Sequence, residues 1–203
     1  MNTKLTTAEM GRMSVNEYRQ ADKLPLVVVL DNVRSQHNVG AVFRTADAMR
    51  IERVLLCGIC CCPPNQEIHK TALGAEESVD WKYYQQTMDA VKDLQADGYT
   101  VYAVEQAHDS ATLEEVAESL SAERSVLCQR SGLSGEAGLH GIAVVFGHEV
   151  FGVQQEVIDL CQGCIEIPQY GTKHSMNVSV TAGIVMYRLS EALRANQRSK
   201  IKN

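Results

Sequence analysis

The sequence lacks the features of membrane and secreted proteins. None of its apolar runs approaches the roughly 18 residues that a membrane-spanning helix needs. The first 23 residues are too polar for the hydrophobic region of a signal peptide. The seven cysteines are an odd number and include the consecutive Cys60, Cys61 and Cys62, which does not suit a disulfide framework. We therefore expect reduced thiols and a cytoplasmic protein without a membrane segment.

The chain also lacks an excess of basic residues. Its formal net charge is −6 at pH 7, whereas proteins that bind nucleic acid usually present a basic surface. The negative charge is concentrated between Asp93 and Glu123, a stretch with eight acidic residues and no Lys or Arg. Lys and Arg are more frequent near both termini, so the sequence leaves room for a basic face.

What the chain does contain is a regular alternation of strand and helix patterns. The predicted strands are 26–30, 53–57, 81–84, 100–104, 141–146 and 164–167, and the predicted helices are 40–49, 87–96, 113–120, 154–160 and 177–195. This alternation predicts an α/β fold with a mostly parallel sheet and helices on both faces. We expect one domain at 24–203 behind a weakly helical N-terminal arm at 1–23, with a flexible Gly/Ser-rich loop at 129–140.

Three polar loops follow predicted strands, at the edge where open parallel sheets bind ligands. They span residues 31–40, 146–152 and 167–177. Taken singly, each loop is explained by ordinary turn and capping residues, since Asn38 or Ser175 could cap the helix that follows it. The combination of all three indicates a functional site.

A nucleotide-binding enzyme is the first alternative for this fold class. No Gly-x-Gly-x-x-Gly pattern follows the first predicted strand, where a dinucleotide-binding site would require it. Gly147 and Gly152 have the spacing of a P-loop, but Val153 and Gln154 stand where Lys and Ser/Thr are needed. Both kinds of nucleotide site are therefore disfavoured.

The three loops match a known family in order and spacing. The segment 38–48 (NVGAVFRTADA) resembles the first motif of the SpoU (TrmH-like) methyltransferases of the SPOUT superfamily. The segment 144–153 (VVFGHEVFGV) resembles the second motif, and Ile167-Pro168 followed by 175–180 (SMNVSV) resembles the third. The segment 71–75 (TALGA) is also similar to the family, and the resemblance covers roughly residues 25–195.

The resemblance implies a deep trefoil knot at the C-terminal end of the domain, a feature that is almost absent from other folds. It also implies that S-adenosylmethionine is the methyl donor and lies in the knot, largely against the backbone of the second and third loops. The residues expected to bind this cofactor are Val145, Phe146, Gly147, His148, Glu149, Ile167, Pro168, Gly171, Ser175 and Met176. The family is typically dimeric with a site completed across the interface, and the apolar stripe of the last predicted helix favours a homodimer.

By the same resemblance the chain is expected to methylate a ribose 2′-hydroxyl of RNA. Arg44 would be the central catalytic residue, and the others around it would be Asn38, Glu149, Ser175 and Asn177. Arginine is always protonated near neutral pH, so we favour an electrostatic role for Arg44, although a role as general base stays open. A transfer RNA is favoured over a ribosomal RNA, since a large N-terminal RNA-binding domain is not seen in the sequence.

Two residues depart from the family pattern, and two alternative functions stay open. His148 stands where an amide is common and Met176 where leucine is common; the second change preserves volume and apolarity. One alternative is a non-catalytic RNA-binding relative. The other is a zinc-binding module through Cys57, Cys60, Cys161 and Cys164, although isolated or buried thiols are the favoured interpretation and no metal is expected.

Overall fold

A computed structural model of the chain describes residues 2–6, 9–130 and 141–200, with side chains described outside 122–130 and 196–200. The strands are β1 (Leu24–Asp31), β2 (Ile51–Cys57), β3 (Asp80–Tyr84), β4 (Tyr99–Val104), β5 (Ala111–Thr112), β6 (Gly141–Phe146) and β7 (Gly163–Glu166). The helices are α1 (Val15–Gln20), α2 (Gln36–Met49), α3 (Gln66–Ala72), α4 (Ala75–Ser78), α5 (Thr87–Ala96), α6 (Leu113–Arg130), α7 (Gln155–Ile158) and α8 (Val178–Lys200). Helix α6 continues past the predicted end at residue 120, and the rest of the predicted 129–140 loop lies outside the described residues.

The strands form one seven-stranded sheet in the order β3-β2-β1-β6-β4-β7-β5. Every pairing between neighbouring strands is parallel, which confirms the predicted parallel α/β class. Strands β1 and β6 lie at the centre and are apolar along nearly their whole length, as expected of strands that are covered on both faces. Because all strands run the same way, the loops after β1, β4, β6 and β7 gather at one edge of the sheet.

Helices cover both faces of this sheet. One core contains the inward side chains of α2, α6 and α8, among them Phe43 and Met186, and the other contains those of α5 and α7, among them Leu94 and Val157. The apolar stripe predicted for the last helix is buried in the first core, between α8, α2 and α6. That stripe is therefore used within the chain and is not available to a partner.

Helix α2 begins at Gln36, four residues before the predicted start. The reason is the cap: the Ser35 side chain accepts a hydrogen bond from the Asn38 amide, so Ser35 and not Asn38 caps this helix. Helices α3 and α4 were not predicted. Asn65 caps α3 by accepting hydrogen bonds from two backbone amides, and the short helix fits against Gly40 of α2, where any side chain would collide with α3.

Among the described residues of the N-terminal segment, those of α1 are helical. Ser14 and Glu17 form a capping box at its start, and the Tyr18 side chain is buried. The Arg19 guanidinium donates to the Glu77 carbonyl in α4, so α1 is attached to the rest of the chain. The division into an arm at 1–23 and a domain at 24–203 stays a prediction. Across the described ranges, no helix combines the length and apolar character needed to span a bilayer.

Candidate active site

The three polar loops meet around the carboxylate of Glu149. Its oxygens accept hydrogen bonds from the backbone amides of Arg34 (3.1 Å) and Ser35 (2.9 Å) and from the Asn38 side chain (3.1 Å). Residues 34–38 follow β1, whereas Glu149 follows β6, which pairs directly with β1. The pairing of these strands therefore places the first two loops side by side, and Glu149 joins them.

The third loop is attached to the first through two asparagines. The Asn177 side-chain amide donates to the Asn38 side-chain oxygen at 3.2 Å. The Asn177 oxygen in turn accepts from the Ser179 and Val180 amides, so Asn177 caps α8, where the sequence suggested Ser175. Glu149, Asn38 and Asn177 thus form one hydrogen-bonded chain across all three loops, which we call the loop junction.

The loop junction holds Glu149 in its charged form. Partial burial raises the pKa of this carboxyl group, because it removes water from the charge. Hydrogen bonds from the backbone amides of Ser35, Glu149 and Arg34 and from the Asn38 side chain lower it by more, so the pKa lies below its ordinary value. The hydrogen bonds from the first loop therefore favour the anionic form of Glu149.

The second loop is a tight hairpin. The His148 and Gly152 backbones exchange two hydrogen bonds of 3.0 and 2.9 Å, and Gly152 has a φ of +68°, which favours glycine. A side chain at Gly147 would collide with the backbone of Gly152 and Val153. The His148 Nδ1 accepts a hydrogen bond from the Val150 amide, two residues further along the chain. The two glycines therefore allow a close backbone turn beside the loop junction.

A cleft of about 1190 Å³ opens between the ends of β4, β6 and β7. Seven of the ten residues expected to bind the cofactor line it: Phe146, Gly147, His148, Glu149, Ile167, Ser175 and Met176. The other three do not: Val145 is fully buried within the core, and Pro168 and Gly171 lie outside the cleft lining. The cofactor roles of all ten stay predictions.

The cleft has a wall that sequence reasoning missed. Residues 104–109 after β4 line it, with Glu105 at the centre. The Glu105 carboxylate accepts from the Gln106 amide (2.9 Å) and from the Val153 amide (3.1 Å), so it connects this wall to the second loop. The available signal in the sequence was a charged residue directly after the predicted strand 100–104.

A second missed residue is Asp31, the last residue of β1. Its side chain is fully buried and accepts hydrogen bonds from the Thr87 hydroxyl (2.5 Å), the Gln154 amide (3.1 Å) and the Asn32 side chain (2.9 Å). A buried carboxylate is tolerated only where donors surround it. Asp31 therefore attaches the start of α7 and the end of the second loop to the centre of the sheet.

Arg44 is placed differently from the other predicted catalytic residues. It lies on the exposed side of α2, does not line the cleft, and forms no hydrogen bond or ion pair with the part of the chain that the structure describes. Ser175 is also exposed, but it lines the cleft. The structure thus brings Asn38, Glu149 and Asn177 into direct contact and leaves Arg44 outside this group.

The cysteines proposed as zinc ligands are free thiols. Burial raises the pKa of Cys57, Cys60 and Cys161 to about 12 and that of Cys164 above its ordinary value. Within the described ranges, no three or more His, Cys, Asp or Glu side chains are grouped to hold a metal ion. The zinc alternative is not favoured.

Sequence comparison finds a match to the model of the SpoU rRNA Methylase family over residues 25–187. The chain is 27% identical over 179 residues to a tRNA (guanosine(18)-2′-O)-methyltransferase of Thermus thermophilus, covering 88% of this chain and 81% of that protein. It is 28% identical over 168 residues to a 23S rRNA (guanosine-2′-O-)-methyltransferase of Neisseria meningitidis, covering 80% of this chain and 56% of that protein.

Solved structures agree on the fold. A TrmH/SpoU tRNA modifying enzyme of A. aeolicus superposes with a TM-score of 0.71 at 21% identity, over 90% of this chain and 84% of that one. An rRNA methyltransferase of Sinorhizobium meliloti, solved with AdoMet bound, gives a TM-score of 0.66 at 22% identity, over 86% of this chain and 59% of that one. The parallel sheet and its helices are thus those of this group of methyltransferase structures.

Proposed function

Because the chain belongs to the SpoU rRNA Methylase family, we propose that it transfers the methyl group of S-adenosylmethionine to a ribose 2′-hydroxyl of a transfer RNA. The observation that carries this proposal is the loop junction. Glu149, Asn38 and Asn177 come from three separate loops and are joined by hydrogen bonds beside a large cleft. Turn and capping residues would need hydrogen bonds only within their own loop, whereas these side chains connect three loops and so fix the loops relative to one another.

The cleft suits this methyl donor. Ile167 and Met176 give it apolar walls for an adenine. Its described lining includes four acidic residues, Glu105, Asp109, Glu149 and Glu166, and no Lys or Arg, which suits a ligand with positive charge. When bound, S-adenosylmethionine supplies an electrophilic methyl group on a sulfonium. SpoU methyltransferases use this donor, and relatives have been solved with it bound.

The residues of the chain would then position the acceptor and stabilise charge. A ribose hydroxyl is a weak nucleophile and must release its proton, to solvent or to an RNA phosphate oxygen, as the methyl group is transferred. Most of the rate must therefore come from alignment and from stabilising the negative charge that develops on the oxygen. We assign this stabilisation to Arg44, whose guanidinium is charged and has no partner within the described chain. Ser175 and Asn177 hold the acceptor over the cleft, while Glu149 and Asn38 hold the loops.

We further propose that the site is completed by a second copy of the chain. Arg44 lies outside the cleft of its own chain, which supports a second copy of the chain bringing its Arg44 to the acceptor at this cleft. The stripe of α8 that packs inward cannot form the interface, but Val180, Ile184 and Tyr187 on the same helix are 54%, 40% and 56% exposed. Their spacing of four and three residues places them on one face.

Complementation between two inactive variants tests this arrangement. Arg44→Ala removes the guanidinium, and Asn177→Ala removes a residue at the cleft. If Arg44 acts across the interface, a mixed dimer contains one intact site, so mixing the two proteins after unfolding and refolding should restore about a quarter of wild-type activity. If Arg44 acts within its own chain, no mixed dimer has an intact site and activity stays absent. Light scattering on each variant checks that the dimer is present.

We also propose that the C-terminal segment forms the trefoil knot that the family resemblance implies. After β7 the third loop passes the β4 loop, where the Gln106 side chain donates to the His174 carbonyl at 3.0 Å. It then reaches Asn38 of α2, and α8 packs between α2 and α6. These contacts of the C-terminal segment with the loop after β4 and with α2 support the proposed knot.

The class of RNA is the finer part of the proposal. A tRNA-modifying relative is matched over 81% of its length, and four ribosomal RNA relatives are matched over 56% to 68% of theirs. We propose transfer RNA, the substrate class of the relative that is matched over the largest of these shares. The test uses methyl-labelled S-adenosylmethionine and total RNA from cells that lack the gene, followed by alkaline hydrolysis, which 2′-O-methylated linkages resist. Label in alkali-resistant dinucleotides of the tRNA fraction is expected; label in the ribosomal fraction would redirect the assignment. Absence of label, for protein that binds the donor, would favour the non-catalytic relative.

A further inference from the structure

The Glu105 carboxylate lies in the cleft and has acceptor sites that its hydrogen bonds within the chain do not use. It is half-buried, directly follows β4, and lines the cleft together with the residues expected to bind the methyl donor. One oxygen accepts from the Gln106 amide and the other from the Val153 amide. A carboxylate oxygen can accept two hydrogen bonds, so each oxygen keeps one acceptor site after these contacts.

The same contacts hold Glu105 in one orientation. Its two bonds come from different loops, so rotation of the carboxylate would break one of them. Gly152 makes room for it, because a side chain at that residue would collide with the Glu105 oxygen. A fixed pair of acceptors in a ligand cleft is suited to two neighbouring hydroxyl donors, since both bonds form without reorganisation.

The other carboxylates of the cleft are used differently. Glu149 already receives three donors in the loop junction, and Glu166 accepts the Ser110 hydroxyl at 2.8 Å. Asp109 is exposed. Glu105 differs from Glu166 in that a donor holds each of its two oxygens, and from Glu149 in that one acceptor site is left on each oxygen. In dinucleotide-binding sheets an acidic residue near a strand end binds a ribose in the same manner.

We infer that Glu105 binds the 2′- and 3′-hydroxyls of the ribose in the methyl donor and so contributes to selection of an adenosine ligand. This inference rests on the proposed function, which supplies the ligand. It gives Glu105 two connected roles: its side chain fastens the second loop to β4, and it accepts the diol. Ribose binding would therefore also depend on the bond between Glu105 and the second loop.

Calorimetry with analogues that lack one hydroxyl isolates this contact. The probes are 5′-methylthioadenosine and its 2′-deoxy and 3′-deoxy forms, which carry neither the sulfonium nor the amino acid. The wild-type protein should bind each deoxy form about ten- to hundredfold more weakly than 5′-methylthioadenosine, as expected for the loss of a hydrogen bond to a charged group. Glu105→Gln and Glu105→Asp should bind all three probes within about threefold of one another. Glu166→Gln, a matched change in the same cleft, should keep the wild-type preference.

The other possible outcomes overturn either the inference about Glu105 or the proposed function. If Glu105→Gln keeps the wild-type preference for the diol, or weakens all three probes by the same factor, the inference is wrong and Glu105 only fastens the loop. If it weakens S-adenosylmethionine and leaves methylthioadenosine unaffected, the carboxylate meets the amino-acid portion, which also overturns the inference. If the folded wild-type protein binds neither S-adenosylmethionine nor methylthioadenosine, the proposed function itself fails. Melting curves of each variant confirm that it is folded.

Discussion

Asn38 and Arg44 lie on the same helix, less than two turns apart, yet their surroundings are opposite. Asn38 is half-buried, donates to Glu149 and accepts from Asn177, so its side chain is held on both sides. Arg44 is exposed and makes no such contact with the described chain. A side chain that is already bonded contributes to the shape of a site, whereas an unpaired charge is available for a substrate. The comparison separates residues that build the site from the residue proposed to act on RNA.

Removal of Arg44 should have the largest effect on activity. We expect Arg44→Ala to lower the methylation rate by roughly 10²–10³, the usual loss for a preorganised charge partner, while the affinity for S-adenosylmethionine stays nearly unchanged. Arg44→Lys should recover little if the planar guanidinium is needed. Lys92→Ala, an exposed cation on α5 across the sheet, is the control and should leave the rate unchanged. Single-turnover kinetics and calorimetry measure the two quantities separately.

Two results would contradict the proposal that Arg44 acts on the RNA while the loop junction builds the site. A parallel loss of donor binding and activity in Arg44→Ala would make Arg44 a structural residue. A rate above about a tenth of wild type would show that its charge is not needed for transfer.

Loss of the Glu149 charge should have a smaller effect on rate but a larger one on stability. Glu149→Gln keeps the shape of the side chain, yet its amide group cannot accept from all three donors of the first loop. We expect a loss of about 2 kcal/mol in the free energy of unfolding, and roughly ten- to hundredfold in rate as the first loop loosens. Urea unfolding measures the free energy of unfolding. Equal stability of this variant and wild type would mean that the loop junction does not hold the loops.

The smallest expected effect is the pH dependence of the stability difference between wild type and Glu149→Gln, and it is specific to the charge of Glu149. The pKa of Glu149 is lowered in the folded protein, so its stabilisation is complete above the unfolded-state pKa and is lost as pH falls through the folded-state pKa. The stability difference between wild type and Glu149→Gln should therefore be full at pH 7 and narrow below about pH 4. A difference that stays constant down to pH 3 would show that the charge is not the source.

The sequence predicted the sheet and the family well because both depend on local patterns. The apolar runs 26–30 and 141–146 became the central strands β1 and β6, and the predicted helix at 87–96 matches α5. The SpoU assignment is confirmed by the family model over residues 25–187. These features need only periodicity or motif order, which a linear sequence contains.

Long-range contacts were not predictable in the same way. Glu105 lies 48 residues before Val153, and only the pairing of β4 with β6 brings their loops together. Capping of α2 was one possible explanation for Asn38 in the sequence, whereas Ser35 provides the cap and Asn38 faces Glu149 instead. A polar residue near a helix start can serve either purpose, and the choice depends on which distant loop lies opposite.

The proposal that the chain methylates a ribose is tested most directly by removing one oxygen atom from the substrate. Once the modified nucleotide is mapped, the same RNA is made with a single 2′-deoxy substitution at that nucleotide and incubated with labelled S-adenosylmethionine. The 2′-hydroxyl is the proposed acceptor, so the unmodified RNA should take up label and the deoxy RNA should take up none, although both should bind the protein with similar affinity. Continued methylation of the deoxy RNA would place the methyl group on the base and contradict the account.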